Sequence, residues 1–160
     1  LEEAVSASAE LVRAETGSET MVWIGDLSQE DCVKAMHQAS LERFGKATIL
    51  VNNAGGGVIR PFLDHTPETL RATIDRNLWT ALWCCRVFLP DMVGMHYGRI
   101  INIGADSGRN GLWQHAAYNA AKGRAAGVDE VASMAAHLAG KAASFVTGQV
   151  ISVNGGSTML

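Results

Sequence analysis

The first 15 residues carry Leu1, Val5, Ser8 and Val12 on one stripe, which predicts a helix that Gly17 stops. Met21 to Gly25 reads as a short strand. Ser28 suits the cap of a second helix, with Asp31 as an acid in its first turn. That helix shows Val33, Met36 and Phe44 on one face and ends at Gly45. The apolar run Thr48 to Val51 then reads as a buried strand. Thr66-Pro67 opens a helix, with proline at the first helical position and Glu68 after it. It should continue to about Pro90 to Met95, with a break near Asn77. Arg99 to Ile103 is the next strand, and a helix carries Tyr118 and Lys122. Val128 to Leu138 is helical, with Val131, Met134 and Leu138 toward the core. Gln149 to Val153 is a last strand, closed by Asn154-Gly155-Gly156. Helices alternate with short apolar strands, so the class is α/β with a parallel sheet in one domain over residues 1–160.

Composition narrows the function classes. The chain has 160 residues, 48% of them apolar and 18% charged, which suits one cored domain. A formal charge of −3 gives no basic footprint for nucleic acid. No stretch approaches the roughly 20 apolar residues that span a bilayer, and no signal peptide is read at the start. Cys32, Cys84 and Cys85 are odd in number and two are adjacent, which suits reduced thiols in a cytoplasmic protein. The histidines show no metal-ligand spacing, so no metal is expected.

The chemistry concentrates late in the chain. Tyr118 and Lys122 stand four residues apart, so both side chains leave one face of a helix. An ammonium beside a phenol favours the phenolate, which suits a tyrosine to trade protons with an alcohol or ketone. The same spacing also occurs on ordinary helices, where the tyrosine packs and the lysine is solvated. Upstream, Ile49-Leu50-Val51 ends in Asn52-Asn53-Ala54-Gly55-Gly56-Gly57, where glycines let the backbone come close to a ligand at the strand's carboxyl end. Asn77 sits in an apolar helix, which is costly unless its amide is satisfied.

The order of strand, NNAG, Asn77, second strand, Gly/Ser loop and Tyr-x-x-x-Lys resembles the short-chain dehydrogenase/reductase family, over nearly the whole chain. The resemblance implies a Rossmann-type doubly wound parallel sheet and an NAD- or NADP-dependent oxidoreductase. It implies that Tyr118 is the acid/base, that Lys122 supports it and bonds the nicotinamide ribose, and that Asn77 holds a water in a proton relay. Asp26 resembles the aspartate that accepts from the adenine amino group, and Asn52, Asn53, Ala54 and Gly55 would line the adenosine side. The family serine falls at Ala105 here, so Ser107, two residues on, is the candidate polariser of the substrate oxygen; a plain turn serine is the alternative. Arg109, Asn110, Trp113 and His115 are candidates to shape the substrate pocket.

Two departures from the family pattern stand out. The opening strand, glycine-rich turn and helix that hold the pyrophosphate are not in this sequence, so segments are expected before Leu1. A sixth strand and a substrate loop are also missing, at the junction of Gly123 and Arg124. In the family order 3-2-1-4-5-6-7, only strands 4 and 5 can then pair, and the Rossmann-type sheet is incomplete. The loop from Gly104 to Ser107 and the run Arg109-Asn110-Gly111-Leu112 are similar to those of cis-dihydrodiol dehydrogenases, such as the dihydroxy-dihydro-cumate type. A 3-oxoacyl reductase-like enzyme and a non-catalytic nucleotide-binding member are the alternatives. Family resemblance also implies a small-molecule alcohol or ketone substrate and a homotetramer.

Overall fold

The computed structural model describes residues 2–105, 113–122, 128–151 and 153. Helix α1 spans Glu2–Thr16 and α2 spans Glu30–Phe44. Strand β1 (Ile49–Asn52) leads through a single 3-10 turn at Phe62–Asp64 to α3 (Pro67–Ile74). A π-helical turn, Asp75–Trp79, joins α3 to α4 (Thr80–Gly94). Strand β2 (Arg99–Asn102), α5 (Ala116–Lys122), α6 (Val128–Ala139) and a 3-10 turn at Lys141–Ala143 follow.

Among the described residues the sheet is one parallel pair. Ile49 faces Arg99 and Asn52 faces Asn102, so the two strands end in register at their carboxyl ends. Among the described residues the expected strands at Met21 to Gly25 and Gln149 to Val153 do not form: 21–24, 149–151 and 153 have no regular secondary structure, and Gly25 is a bend. The physical reason is the one that the incomplete strand order predicts. A strand is held by its neighbours, and neither segment has one.

The helices largely fall where periodicity puts them, with three corrections. The residue at the α2 cap is Gln29, not Ser28, and its side chain makes no capping bond. Instead Asp26 Oδ1 accepts the Ser28 N–H at 3.0 Å, which closes a turn ahead of the helix. The α1 stripe meets no core: Val5 and Val12 are exposed, as is Leu11, and no residue of α1 is buried. Phe44 is also exposed, although Val33 on the same expected face is fully buried.

The core forms between α2 and α4 over β1. Val33, Cys84 and Phe88 are its buried centre, with Met36, Leu50 and Val87 packed around them. His37 and Asp91 tie the two helices at 2.8 Å, and the His37 ring meets Phe88 edge-on at 4.7 Å. From the π turn into α4, Trp79 and Trp83 stack at 5.4 Å, while Leu78 and Leu82 stay exposed.

The π turn has a local cause. Asn77 Nδ2 donates to the Thr73 carbonyl at 2.6 Å, the acceptor that Asn77's own backbone N–H would use in an α-helix. The ladder therefore slips by one, and the Thr80 hydroxyl also takes the Asp75 carbonyl at 3.2 Å.

Burial pushes the Cys84 thiol from 9.0 up to about 11, with Cys85 a smaller contributor. Above its ordinary range the unfolded chain therefore loses this proton before the folded chain does. Stability should fall as pH rises through that interval, by at most roughly 2–3 kcal/mol from this group. Lys122, whose pKa is lowered by burial, acts in the opposite sense. Denaturant midpoints of Cys84→Ala and the parent at about pH 8 and about pH 10.5 isolate the thiol, because Lys122 is common to both. The parent should lose more of its midpoint than the variant.

Candidate active site

The carboxyl ends of β1 and β2 form the floor of the site. The apolar run of β1 stops at Asn52, whose amide donates to Asn102 Oδ1 at 2.8 Å and to Cys85 Sγ at 3.3 Å. Those bonds brace the two strand ends and the adjacent α4. Beyond them the chain turns through Asn53, Ala54 and Gly55, all exposed to solvent.

Lys122 reaches these strand ends from the last turn of α5. Its Nζ donates to the Asn53 carbonyl and to the Ile103 carbonyl, each at 3.0 Å. One ammonium thus bridges the residues that follow both strands. Its own carbonyl accepts the Ala105 N–H at 3.0 Å, which ties α5 to the chain leaving β2. Half-burial lowers the Lys122 pKa by desolvation. Two backbone carbonyls offset that cost, since bonds to a charged group contribute about 1.5–3 kcal/mol each.

Asn77 approaches from the opposite side. It is buried, and its amide is satisfied on both atoms. Nδ2 donates to the Gly56 carbonyl at 2.7 Å, and Oδ1 accepts the Gly56 N–H at 3.1 Å. The glycine run is therefore clamped by a side chain from the π turn. Gly55 lies against both groups: a Cβ there would collide with Asn77 Oδ1 and Lys122 Cε, and would stand 3.0 Å from Lys122 Nζ. Gly57 lies against the third, with its Cβ position 3.3 Å from Tyr118 Cβ and 3.2 Å from Thr73 Cγ2. The three side chains proposed from sequence thus surround one short stretch of backbone. Among the described residues no hydrogen bond joins Tyr118 to Lys122.

Other candidates are placed less centrally. His115 meets the Tyr118 ring edge-on at 6.0 Å, and its Nδ1 lies 2.6 Å from the Trp113 carbonyl. Trp113 is exposed. Asp26 is exposed and its carboxyl is held below the usual range, mainly by hydrogen bonding from Ser28, with Arg76 adding a weaker attraction. Ser107, Arg109 and Asn110 lie outside the described residues. Ala105 is buried.

Three participants were not singled out from the sequence. Gln114 has a φ of 60°, a left-handed conformation rare for glutamine, and its carbonyl accepts the Arg60 N–H at 3.1 Å. That bond joins the loop after the glycines to the loop before Tyr118. Thr73 is buried and supplies the carbonyl that Asn77 takes. Cys85 supplies the sulfur that Asn52 meets. Only Thr73 could have been suspected, from its spacing of four to Asn77.

A cation braced at the ends of parallel strands, beside an open glycine backbone, is suited to binding an anionic or hydroxylated ligand. Asn53, Ala54 and Gly55 are exposed to solvent beside the Lys122 ammonium, a donor of the kind that suits the hydroxyls of a nicotinamide ribose. The sequence profile of the short chain dehydrogenase family matches residues 1–156. The chain belongs to that family and is an NAD(P)-dependent oxidoreductase. It is 49% identical to a 2,3-dihydroxy-2,3-dihydro-p-cumate dehydrogenase of Pseudomonas putida, over 99% of this chain and 82% of the relative. It is 36% identical to a 1,6-dihydroxycyclohexa-2,4-diene-1-carboxylate dehydrogenase of the same species, over 66% of this chain and 39% of the relative. A 3-oxoacyl-acyl-carrier-protein reductase of Chlamydia muridarum is 26% identical, over 97% of this chain and 83% of the relative. Among the described residues no helix is long and apolar enough to cross a membrane, and no cluster could hold a metal ion.

Gly55→Ala should displace Asn77 and Lys122 together. We expect kcat/KM to fall by about 10²-fold, the scale of an ångström-sized misplacement. Gly94→Ala, where the nearest atom to the new methyl is a flexible lysine end at 3.9 Å, should leave both kcat/KM and stability near the parent values.

Proposed function

We propose that this protein oxidises the cis-dihydrodiol of an aromatic ring, with Tyr118 as the acid/base, Lys122 and Asn77 as its supporting groups and Ser107 as the polariser of the substrate oxygen. The observation that carries the reading is the convergence of Asn77, Lys122 and Tyr118 on Gly55 to Gly57. The dihydrodiol class follows from the 49% identity to the p-cumate relative, against 26% to the 3-oxoacyl reductase. When bound, the dinucleotide supplies the hydride acceptor.

The chain's own residues handle binding and the proton. Tyr118 oxygen takes the substrate hydroxyl proton as the carbinol C–H bond breaks. Lys122, fixed by the Asn53 and Ile103 carbonyls, keeps a positive charge one helical turn away, where it favours negative charge developing on oxygen. It is also the group that would hold the ribose. Asn77 keeps the glycine backbone in place; the residue carries no spare polar atom in the protein, so a relay water would be shared with its existing bonds. Asn52, Asn53, Ala54 and Gly55 would form the adenosine side of the cofactor surface, with Asp26 toward the adenine.

The reading extends to the missing stretch. The match to the p-cumate relative runs over 213 positions, more than this chain's 160 residues, so it includes positions of the relative with no counterpart here. We place such an interruption at Gly123-Arg124, and further sequence before Leu1. A cytoplasmic homotetramer is the assembly this reading expects, with the apolar Leu78 to Trp83 face of α4 at one contact.

Tyr118→Phe in the full-length protein, with the segments placed before Leu1 and at Gly123-Arg124 present, tests the chemistry. With a cis-dihydrodiol and NAD+ or NADP+, turnover should fall by about 10²- to 10⁴-fold. Calorimetric titration with NADH and NADPH should show dinucleotide affinity retained. Equal turnover in the two proteins would end the catalytic reading and favour a nucleotide-binding member without activity.

A further inference from the structure

Arg60 follows the glycine run and is tied to the segment that leads into Tyr118. Its backbone N–H donates to the Gln114 carbonyl at 3.1 Å. Gln114 holds its φ of 60°, and the next residue, His115, sets its ring against that of Tyr118. A residue other than glycine kept at positive φ beside a reactive group is the kind of strain that positions a functional segment. The Arg60 side chain is partly buried, and its one side-chain bond among the described residues runs from Nη1 to the Asp64 carbonyl, at a long 3.4 Å. No carboxylate among the described residues lies within ion-pair distance of it. A guanidinium carries several N–H donors and keeps its charge, so a partly buried one with a single weak acceptor is left to an anion from outside. Ile59, Phe62 and Trp113, on the same two joined segments, are exposed apolar side chains. One cation among aromatic and aliphatic groups suits an organic ring that bears a carboxylate better than it suits an inorganic anion.

We propose that Arg60 is a substrate-binding residue that takes a carboxylate on the ring of the cis-dihydrodiol, so that the preferred substrates are dihydrodiols of aromatic acids. The inference rests on the dihydrodiol reading above and adds the charged group. Lys122 does not serve, since its ammonium is committed to the Asn53 and Ile103 carbonyls. Arg76 lies instead against Gly56 and attracts Asp26, on the side given to the adenosine. The structural alternative is an arginine that merely caps the turn at Phe62–Asp64. Arg60→Gln separates the two, because an amide still donates to the Asp64 carbonyl but carries no charge.

The test is steady-state kinetics of the full-length protein on two substrates, a cis-dihydroxy-dihydrobenzoate and the cis-dihydrodiol of benzene. The parent should show a KM about tenfold or more lower for the carboxylated ring. In Arg60→Gln that KM should rise by about 10- to 100-fold with kcat near the parent value, while KM for the uncharged diol stays unchanged. Arg60→Lys keeps the charge without the planar fork, so its KM for the carboxylated ring should lie between those of the parent and Arg60→Gln. Should Arg60→Gln fail to fold, Arg60→Lys and the parent's own preference decide the matter. Equal KM values for the two substrates in the parent would overturn the inference and leave the dihydrodiol reading standing. So would an Arg60→Gln protein that loses both substrates alike, or neither. Turnover of neither diol by the parent would end the dihydrodiol reading, and the inference with it.

Discussion

One ammonium holds the two ends of this site together. Two parallel strands end side by side, and each leaves carbonyls at its carboxyl end that no ladder can use. Lys122 takes one from each, at Asn53 and Ile103. With two strands in the sheet among the described residues, that bridge fixes the relative position of the two loops that build the site. It also fixes α5, and so the azimuth of Tyr118 one turn earlier. Removing the cation would leave the part-buried Ile103 carbonyl without this donor, a cost of about 1–3 kcal/mol, while the exposed Asn53 carbonyl would turn to water.

Asn77 provides the matching constraint from the other side. A buried amide on a helix must find partners, and this one finds them in two directions. The backbone of α3 gives up one regular bond to it, which is why the helix passes through a π turn at this point. In exchange, Gly56 is held on both its N–H and C=O. Lys122 and Asn77 therefore close on Gly55 from two sides, and only a residue without a side chain fits between them.

Much of this was legible in the sequence because the chemistry needs particular residue types at fixed spacings. The Tyr118–Lys122 spacing, the glycine run and the lone Asn77 in an apolar helix each carry a physical demand that another residue type would not meet. The break near Asn77 follows from the same demand. The helix start at Thr66 was legible too, and its side chain accepts the Thr69 N–H at 3.4 Å. What was not legible depends on neighbours. The Met21 to Gly25 run has the composition of a strand, but a strand exists only beside another. The α1 stripe has the period of a buried face, yet none of the described residues of α1 is buried. Gln114 takes up its left-handed turn because of a bond to Arg60, and no local preference of glutamine announces that.

Taken singly, each unusual feature here is unfavourable: a π turn, a buried asparagine, a half-buried lysine and a glutamine at positive φ. A sequence selected for stability alone would avoid all four, since regular helix, apolar side chains and a glycine turn cost less. Three of them meet within the few residues from Gly55 to Gly57, and the fourth is tied by Arg60 to the loop that leaves those glycines. Independent packing compromises have no reason to collect in one place, while a site that must expose backbone beside a fixed cation does. Elsewhere His96 also takes a positive φ, 51°, just past the end of α4, while the Val33, Cys84 and Phe88 cluster is an ordinary apolar core. The α2–α4 core supplies apolar stability, and the burial cost of Asn77 and Lys122 falls at the strand ends, where both are held by backbone bonds.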